Sequence, residues 1–300
     1  MPTPLVFATL GLITVGLGVG LRIGQRRLDQ HIAAVVEELL AAAEAPSSPP
    51  ARTRGANVDE PPVPVQRYLS HVLRNDLPAV QAVKLTQKGT FRSGGAGSSW
   101  HDFTATQHVT IQPPGFAWNA SIRMLPGLSV RVLDAYADGQ GMLWTRLGGV
   151  VPVANPAPGP SLDEGELLRY LAEAPLYPTA LRPDAGVRWT AVTDRSARAT
   201  LNHRGTTASL LFHFNDQNEV ERVIGKRPFL KSDGTTERRS WIGTWRNYEP
   251  RGGLRVPTDG EVAWIFPEGK VSYWRGHIET IEYQLAPHEN RDRSFTSASS

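Results

Sequence analysis

The sequence predicts a mostly β protein: one large antiparallel sheet of about eleven strands with one or two packed helices, behind an N-terminal transmembrane helix. From Val80 onward apolar residues alternate with polar ones, as they do in half-buried strands. Turn residues such as Asp138-Gly139 separate the alternating runs at regular spacing, which is typical of an antiparallel sandwich or barrel. Before this region stands a long uncharged run, Pro4 to Leu21.

The uncharged run is predicted to be a single-pass membrane anchor. As a helix it would extend roughly 27 Å, close to the ~30 Å of a bilayer core. No basic residue precedes it and no small-x-small cleavage site follows it, so an uncleaved anchor is favoured over a signal peptide. Three arginines between positions 22 and 27 follow the run, and such a flank favours a cytoplasmic domain. Gly16 and Gly20 form a GxxxG that would allow a weak dimer.

Four segments follow from composition and periodicity. Residues 1–45 are predicted to form the transmembrane helix and its helical extension, because residues 28–45 are rich in helix formers with one apolar face. Residues 46–64 have many prolines and are predicted to form an extended stalk. Residues 65–285 are predicted to form the antiparallel β domain, and the polar residues 286–300 are predicted to form a disordered tail.

Composition excludes several classes of function. The net charge is +3 and the basic residues are not clustered, so no nucleic-acid partner is predicted. The chain has no cysteine, which excludes disulfides, thiolate nucleophiles and cysteine metal sites. It also has no His-x-x-x-His, Walker loop or Gly-x-Ser-x-Gly, so no metal, cofactor or catalytic residue is assigned.

One helix interrupts the β region and carries the polar site candidates. Ser161 and Glu164 match a capping box and predict a helix from Ser161 to Glu173. Glu166, Arg169 and Glu173 share one face of it, while leucines on the other side are predicted to pack on the sheet. The charged face could bind a polar or cationic head group, or act as the acid and base of a hydrolase-like enzyme. The alternative is an ordinary solvated face with local ion pairs.

Aromatic residues supply a second set of candidates. The chain has eight tryptophans, and Trp241 and Trp245 share a strand face with Gly243 between them. This spacing predicts a gap between two rings that would admit an apolar chain. The candidates for lining such a groove are Trp118, Phe212, Trp241, Trp245 and Trp264. The same pattern would arise if the aromatics filled an ordinary β core, and both interpretations stay open.

Three stretches together resemble an uncharacterised bacterial family, a domain of unknown function found behind an N-terminal membrane helix. They are the run from Asp134 to Gly141, the helix from Glu166 to Pro178, and the late aromatic stretch from Trp241 to Tyr273. The resemblance covers roughly residues 60–285. More distantly, the strand count and the single helix are similar to the half-barrel of periplasmic lipoprotein carriers. That similarity implies a curved sheet whose apolar concavity holds an acyl chain.

The predicted function is non-catalytic binding of a hydrophobic or lipid ligand, by a protein whose main partner is the lipid bilayer. Two alternatives belong to other classes: a hydrolase-like enzyme using Glu166, Arg169 and Glu173, or an interaction module of the envelope. The side of the membrane has two predictions, since the arginine flank favours the cytoplasm and the similarity to carriers favours the outside.

Overall fold

The structure is a computed structural model that describes residues 4–44, 60–74, 79–231 and 234–286, with side chains from Arg22 onward. The helices are α1 (Pro4–Glu44), α2 (Val63–Val72) and α3 (Pro160–Glu173), and three 3-10 turns follow between Ala174 and Ala185. The strands are β1 (Val80–Phe91), β2 (His101–Thr110), β3 (Gly115–Leu125), β4 (Leu128–Ala137), β5 (Gln140–Leu147), β6 (Val151–Ala154), β7 (Val187–Thr193), β8 (Ser196–His203), β9 (Thr206–Phe214), β10 (Val220–Leu230), β11 (Thr236–Arg251), β12 (Leu254–Phe266) and β13 (Gly269–Leu285).

All thirteen strands form one antiparallel sheet. Its order is β6-β5-β4-β3-β2-β1-β13-β12-β11-β10-β9-β8-β7. Neighbours in the sheet are consecutive in the chain except at the centre, where β1 pairs with β13. The two ends of the β domain therefore meet in the middle of the sheet, and the strands next to α3 in the sequence, β6 and β7, form its two edges.

The sheet curls into a half-barrel around α3. The helix packs on β3, β4 and β5 from one arm of the sheet and on β9 and β10 from the other. The two arms also touch directly: Tyr136 on β4 hydrogen-bonds His203 on β8 at 3.0 Å, and Arg204 pairs with Asp138 at 2.7 Å. The concave face therefore encloses α3, with α2 and the 3-10 turns packed against the same core.

Helix α1 covers part of the convex face. Leu28, Ile32, Val35 and Leu39 pack over alanine and leucine side chains of β3 and β4. The Gln25 amide donates to the carbonyl of Gly148 (3.1 Å), at the turn between β5 and β6. At the other end of the helix, Gln284 of the central strand β13 donates to Glu44 (3.4 Å), so the part of α1 before residue 24 extends past the β5–β6 turn. The predicted helical extension of the N-terminal segment is thus a docked helix.

The predicted anchor falls outside the described side chains. In the portion of the chain that the structure describes, none of the helices combines the length and apolar character needed to cross a bilayer. Side chains of the predicted span 4–21, including Gly16 and Gly20, lie outside that portion, as do residues 46–59 of the stalk and residues 287–300 of the tail. Anchor, stalk, tail and dimer stay predictions.

Two details of the expected architecture are corrected. The sheet has thirteen strands rather than about eleven, partly because the Pro-rich loop before α3 contains β6, whose Pro152 is tolerated at an exposed sheet edge. The capping box is wrong: α3 begins at Pro160, and its cap residue Gly159 makes no side-chain cap bond. Proline is favoured at the first helical position, so Ser161 lies inside the first turn.

Candidate functional site

Helix α3 bridges the two arms of the half-barrel through its first turn. Asp163 accepts a hydrogen bond from the backbone N–H of Gly141 on β5 (2.7 Å). On the other arm, Arg238 of β11 forms a two-pronged ion pair with Glu164, at 2.6 and 2.8 Å. Beyond this turn the helix enters the core, where its leucines are fully buried. Both arms thus hold α3 by polar contacts at its start and by apolar packing along its length.

The charged face of α3 points at the sheet and not at solvent. Glu166 is 7% exposed, and the side chains of Arg169 and Glu173 are 15% and 18% exposed. Arg169 donates from Nε to Glu173 at 2.8 Å and forms a second, shorter ion pair with Asp134 of β4. The interpretation as a solvated face is therefore wrong, and the three predicted polar candidates form one buried cluster with Asp134.

Aromatic rings enclose the guanidinium of Arg169. Its central carbon lies 4.8 Å from the ring centre of Phe116 and 4.9 Å from that of Trp118. Burial acts to lower the pKa of Arg169, but the carboxylates of Glu173 and Asp134 raise it above its ordinary value. The site is therefore strongly suited to hold a cation.

A chain of buried amides connects the cluster to the floor of the sheet. Gln107 donates to Glu173 at 2.7 Å, and Gln87 donates to Gln107 at 3.3 Å. The indole N–H of Trp118 donates to Gln87 at 2.8 Å. Both glutamines are almost fully buried, so this chain fixes the orientation of the Trp118 ring beneath α3.

Glu166 carries the most perturbed carboxyl group of the cluster. Burial, the nearby negative charge of Asp134 and a hydrogen bond to Asp134 raise the pKa of Glu166 well above its usual range. Glu166 Oε2 and Asp134 Oδ1 are buried, and neither has a fixed donor among the described residues. A proton on Glu166 would supply the missing donor between the two carboxyl groups, and the raised pKa of Glu166 favours that proton.

A second guanidinium faces the cluster from the opposite arm. Arg227 of β10 donates to the carbonyl of Gly165 at 2.6 Å, and its guanidinium lies 5.0 Å from the ring centre of Trp241. The Trp241 N–H donates to the hydroxyl of Tyr273 at 2.9 Å. The Nε atom of Arg227 is buried without a partner among the described residues.

The expected gap between Trp241 and Trp245 is filled. A Cβ placed on Gly243 would approach a methyl carbon of Val223 to 2.9 Å and the Trp241 ring to 3.1 Å. Trp245 is 5% exposed and donates its N–H to the carbonyl of Ala172 in α3 at 3.1 Å. In this closed arrangement the two rings pack against neighbours.

Trp264 belongs to a cluster of partly buried aromatic rings on β1, β10, β12 and β13. Neighbouring ring centres lie 4.9 to 6.3 Å apart. We call this cluster the aromatic rim; it comprises Phe91, Phe229, Trp264, Phe266 and Tyr273. Phe212 lies apart from α3's charged cluster, fully buried and edge-on to Trp189 at 5.2 Å. The structure thus gathers Trp118, Trp241 and Trp245 around α3, and the role of all five candidates in a ligand groove stays a prediction.

Sequence reasoning missed the partners that the sheet supplies: Asp134, Arg227, Gln87 and Gln107. The sequence does contain a sign of these partners, because each is a polar residue at an inward-facing position of a strand with alternating polarity. Asp134, for example, interrupts the apolar series of β4 that includes Val132 and Tyr136. A polar residue at such a position requires a buried partner.

The convex face carries a shallower, polar concavity of about 650 Å³. Several of its polar side chains are paired: Glu261 accepts from Arg275 at 2.9 Å, and His277 pairs with Asp259 at 2.8 Å. Among the described side chains, no group of three or more His, Asp or Glu is arranged to hold a metal ion. The buried cluster under α3 is therefore the stronger candidate site.

The chain belongs to a family of unknown function, DUF6920, whose model matches residues 59–283. This confirms the resemblance to an uncharacterised family. No curated protein matches the chain.

Two solved structures resemble it. One is a DUF1329 family protein from Desulfovibrio piger, with 10% identity, a TM-score of 0.40, and coverage of 76% of this chain and 96% of that one. The other is a LolA superfamily protein from Nitrosomonas europaea, with 11% identity, a TM-score of 0.36, and coverage of 74% and 94%.

Proposed function

We propose that the protein is anchored to a membrane by the first part of α1 and binds a hydrophobic or lipid ligand in the concavity of its half-barrel, with α3 as a displaceable cover. The main observation behind this proposal is the position of α3. The helix fills the concavity between the two arms, and its charged face packs against Phe116 and Trp118 of the sheet. A buried ion-pair cluster adds little net stability, because desolvation offsets the attraction between the charges. The cover is thus held mainly by its leucines.

The energetics of an exchange between α3 and an acyl chain are close to balanced. Exposing Leu167, Leu168 and Leu171 would cost about 6 kcal/mol, at roughly 2 kcal/mol for each buried leucine. An acyl chain gains about 0.8 kcal/mol for each buried CH₂, so about eight methylene groups would compensate for the three leucines. A common membrane acyl chain is long enough to replace the cover.

The exposed apolar residues at the end of the sheet that α1 passes support uptake from a bilayer. Strands β4 and β5 pair at Val130 and Leu147, so the β3–β4 and β5–β6 turns lie side by side. Leu125 and Val151 at these turns are 61% and 57% exposed. Helix α1 passes the β5–β6 turn on its way toward residue 4, so an anchor formed by residues 4–21 would hold this apolar end against the membrane.

Locking α3 tests the cover. Because the chain has no cysteine, the exposed pair Glu164 and Arg238 can be replaced by two cysteines and joined with a short bis-maleimide. We expect cross-linking to abolish the uptake of a fluorescent fatty acid by the full-length protein in mild detergent. The matched control joins Arg195→Cys to Asp216→Cys, an exposed ion pair distant from α3. Uptake that survives the α3 cross-link, or no uptake by any form, would contradict the proposal.

Single cysteines test the membrane contact. A dye on Val151→Cys should shift its emission to the blue when the full-length protein is reconstituted into vesicles, whereas a dye on Val192→Cys, on β7, should not. A full-length chain that stays soluble after cell breakage would refute the anchor. Labelling of Ser297→Cys by an impermeant thiol reagent in spheroplasts would identify the side of the membrane.

A further inference from the structure

Apart from Glu173 of its own helix, the groups that surround the Arg169 guanidinium form a box that belongs to the sheet. Phe116 and Trp118 lie on the same face of β3, two residues apart, and their ring centres are 4.8 and 4.9 Å from the guanidinium carbon. Asp134 is the cross-strand neighbour of Trp118 on β4 and supplies the carboxylate. Aromatic faces with an adjacent carboxylate are the usual surroundings of bound organic cations.

The box would persist if α3 moved away. The indole of Trp118 is held by Gln87, a residue of β1 and not of the helix. Phe116 is fully buried in the sheet core, and β3 pairs with β4 along its whole length. Of the cation and its three sheet partners, only the cation, Arg169, would leave with α3. The Arg169 side chain therefore fills a box that the sheet forms without the helix.

We propose that this box of Phe116, Trp118 and Asp134 is the binding site for the cationic nitrogen of a zwitterionic phospholipid head group, and that Arg169 occupies the site when α3 is closed. The proposal rests on the proposed function and names its ligand class. When α3 leaves, Asp134 loses the guanidinium that neutralises it, and an unpaired buried carboxylate is strongly unfavourable. A ligand that brings its own cation restores that pairing.

Arg227 offers a place for the adjoining phosphate. It lies on the opposite arm, and its charge reaches the same carboxyl group, Glu166, that Asp134 contacts. Its Nε–H is buried without an acceptor among the described residues, and movement of α3 would also remove the Gly165 carbonyl that it now binds. A guanidinium freed in this way is suited to a phosphate group.

Head-group selectivity tests the proposal on the unmodified, full-length protein. Native mass spectrometry from detergent would compare dilauroyl phosphatidylcholine, dilauroyl phosphatidylglycerol and dilauroylglycerol, which share their acyl chains. We expect phosphatidylcholine to bind about tenfold more tightly than phosphatidylglycerol, because only the former brings a cation to the box. Equal binding of all three would overturn the cation site and leave the hydrophobic-ligand function standing. Binding of none would overturn both.

Two variants extend the test. Asp134→Asn should reduce the affinity for phosphatidylcholine to that for phosphatidylglycerol while leaving dilauroylglycerol unchanged; Asp259→Asn, on the convex face, is the matched control. Arg169→Ala empties the box, so tetramethylammonium should raise the melting temperature of this variant, or its refolding yield, more than sodium does. An equal response of the wild-type protein, or no response of the variant, would overturn the proposal.

Discussion

Replacing Glu166 with glutamine should remove a specific part of the pH dependence of stability. The pKa of Glu166 is raised well above the ordinary value of a carboxyl group, chiefly by burial and by Asp134. Because the folded state then holds a proton that the unfolded state releases, the stabilisation is complete below the unfolded pKa and is lost as pH rises toward the folded pKa. One proton gives a slope of at most about 1.4 kcal/mol per pH unit in that window.

A glutamine at this position keeps the shape and can donate its amide to Asp134, but it has no proton to lose. We therefore expect Glu166→Gln to match the wild type near pH 5 and to become the more stable of the two as pH rises. Urea denaturation followed by tryptophan fluorescence, at half-unit steps from pH 5 to 9, would give the difference in unfolding free energy directly. Glu37→Gln, on the exposed side of α1, is the control and should leave the slope unchanged.

The sign of the difference decides the outcome. If Glu166 were ionised in the folded protein, Glu166→Gln would lose stability by a constant amount across neutral pH. If the wild type and the variant change in parallel from pH 5 to 9, no proton is held between Glu166 and Asp134, and the description of the cluster is wrong.

Three further substitutions test the packing, each by chemical denaturation. Trp245→Ala should cost about 3–5 kcal/mol, because the ring is buried against α3; a loss below about 1 kcal/mol would favour a groove-lining ring. Gly276→Ala should cost about 1–3 kcal/mol, since its Cβ would lie 2.2 Å from the Trp274 ring, and an unchanged stability would show that the ring moves freely. Leu39→Ala should cost about 2 kcal/mol if α1 docks on the convex face, and nothing if it does not.

The β domain could be predicted from the sequence because each strand is marked by the local alternation of apolar and polar residues. Alternation with period two marks the long strands, and in β9 for example every second residue from Ala208 to Phe214 is buried. The edge strand β6 escaped because its four residues are all exposed and include a proline, so no alternation marks it. The 3-10 turns after α3 could not be predicted because their burial comes from α3 and the sheet and not from their own periodicity.

Only part of the candidate site could be predicted from the sequence. Helical spacing correctly placed Glu166, Arg169 and Glu173 on one face, but spacing does not say what that face contacts. A charged face is usually solvated, and here it is buried because Asp134 and Arg227 supply countercharges from strands that are distant in sequence. No pattern in a single chain links position 134 to position 169; only the curl of the sheet brings them together.

Proton linkage connects the closed cluster to ligand uptake and makes a last prediction. In the closed state Glu166 faces Asp134 of β4, Arg227 of β10 and Arg169 of its own helix, and burial raises its pKa well above the ordinary value. If a ligand displaces α3, Glu166 enters water, its pKa returns toward the ordinary carboxyl value, and a proton held in the closed state is released. Ligand affinity should therefore rise with pH, by at most about tenfold per unit between the two pKa values.

Binding of dilauroyl phosphatidylcholine at pH 5.5, 6.5 and 7.5 would measure this linkage, with Glu166→Gln as the comparison that has no proton to release. The wild-type affinity should increase over the series while that of Glu166→Gln stays level. An affinity that falls with pH, or the same dependence in both proteins, would mean that α3 remains closed over Glu166 when the ligand binds. The ligand would then have to enter elsewhere than the cation box, because Arg169 and Glu166 leave the concavity on the same helix.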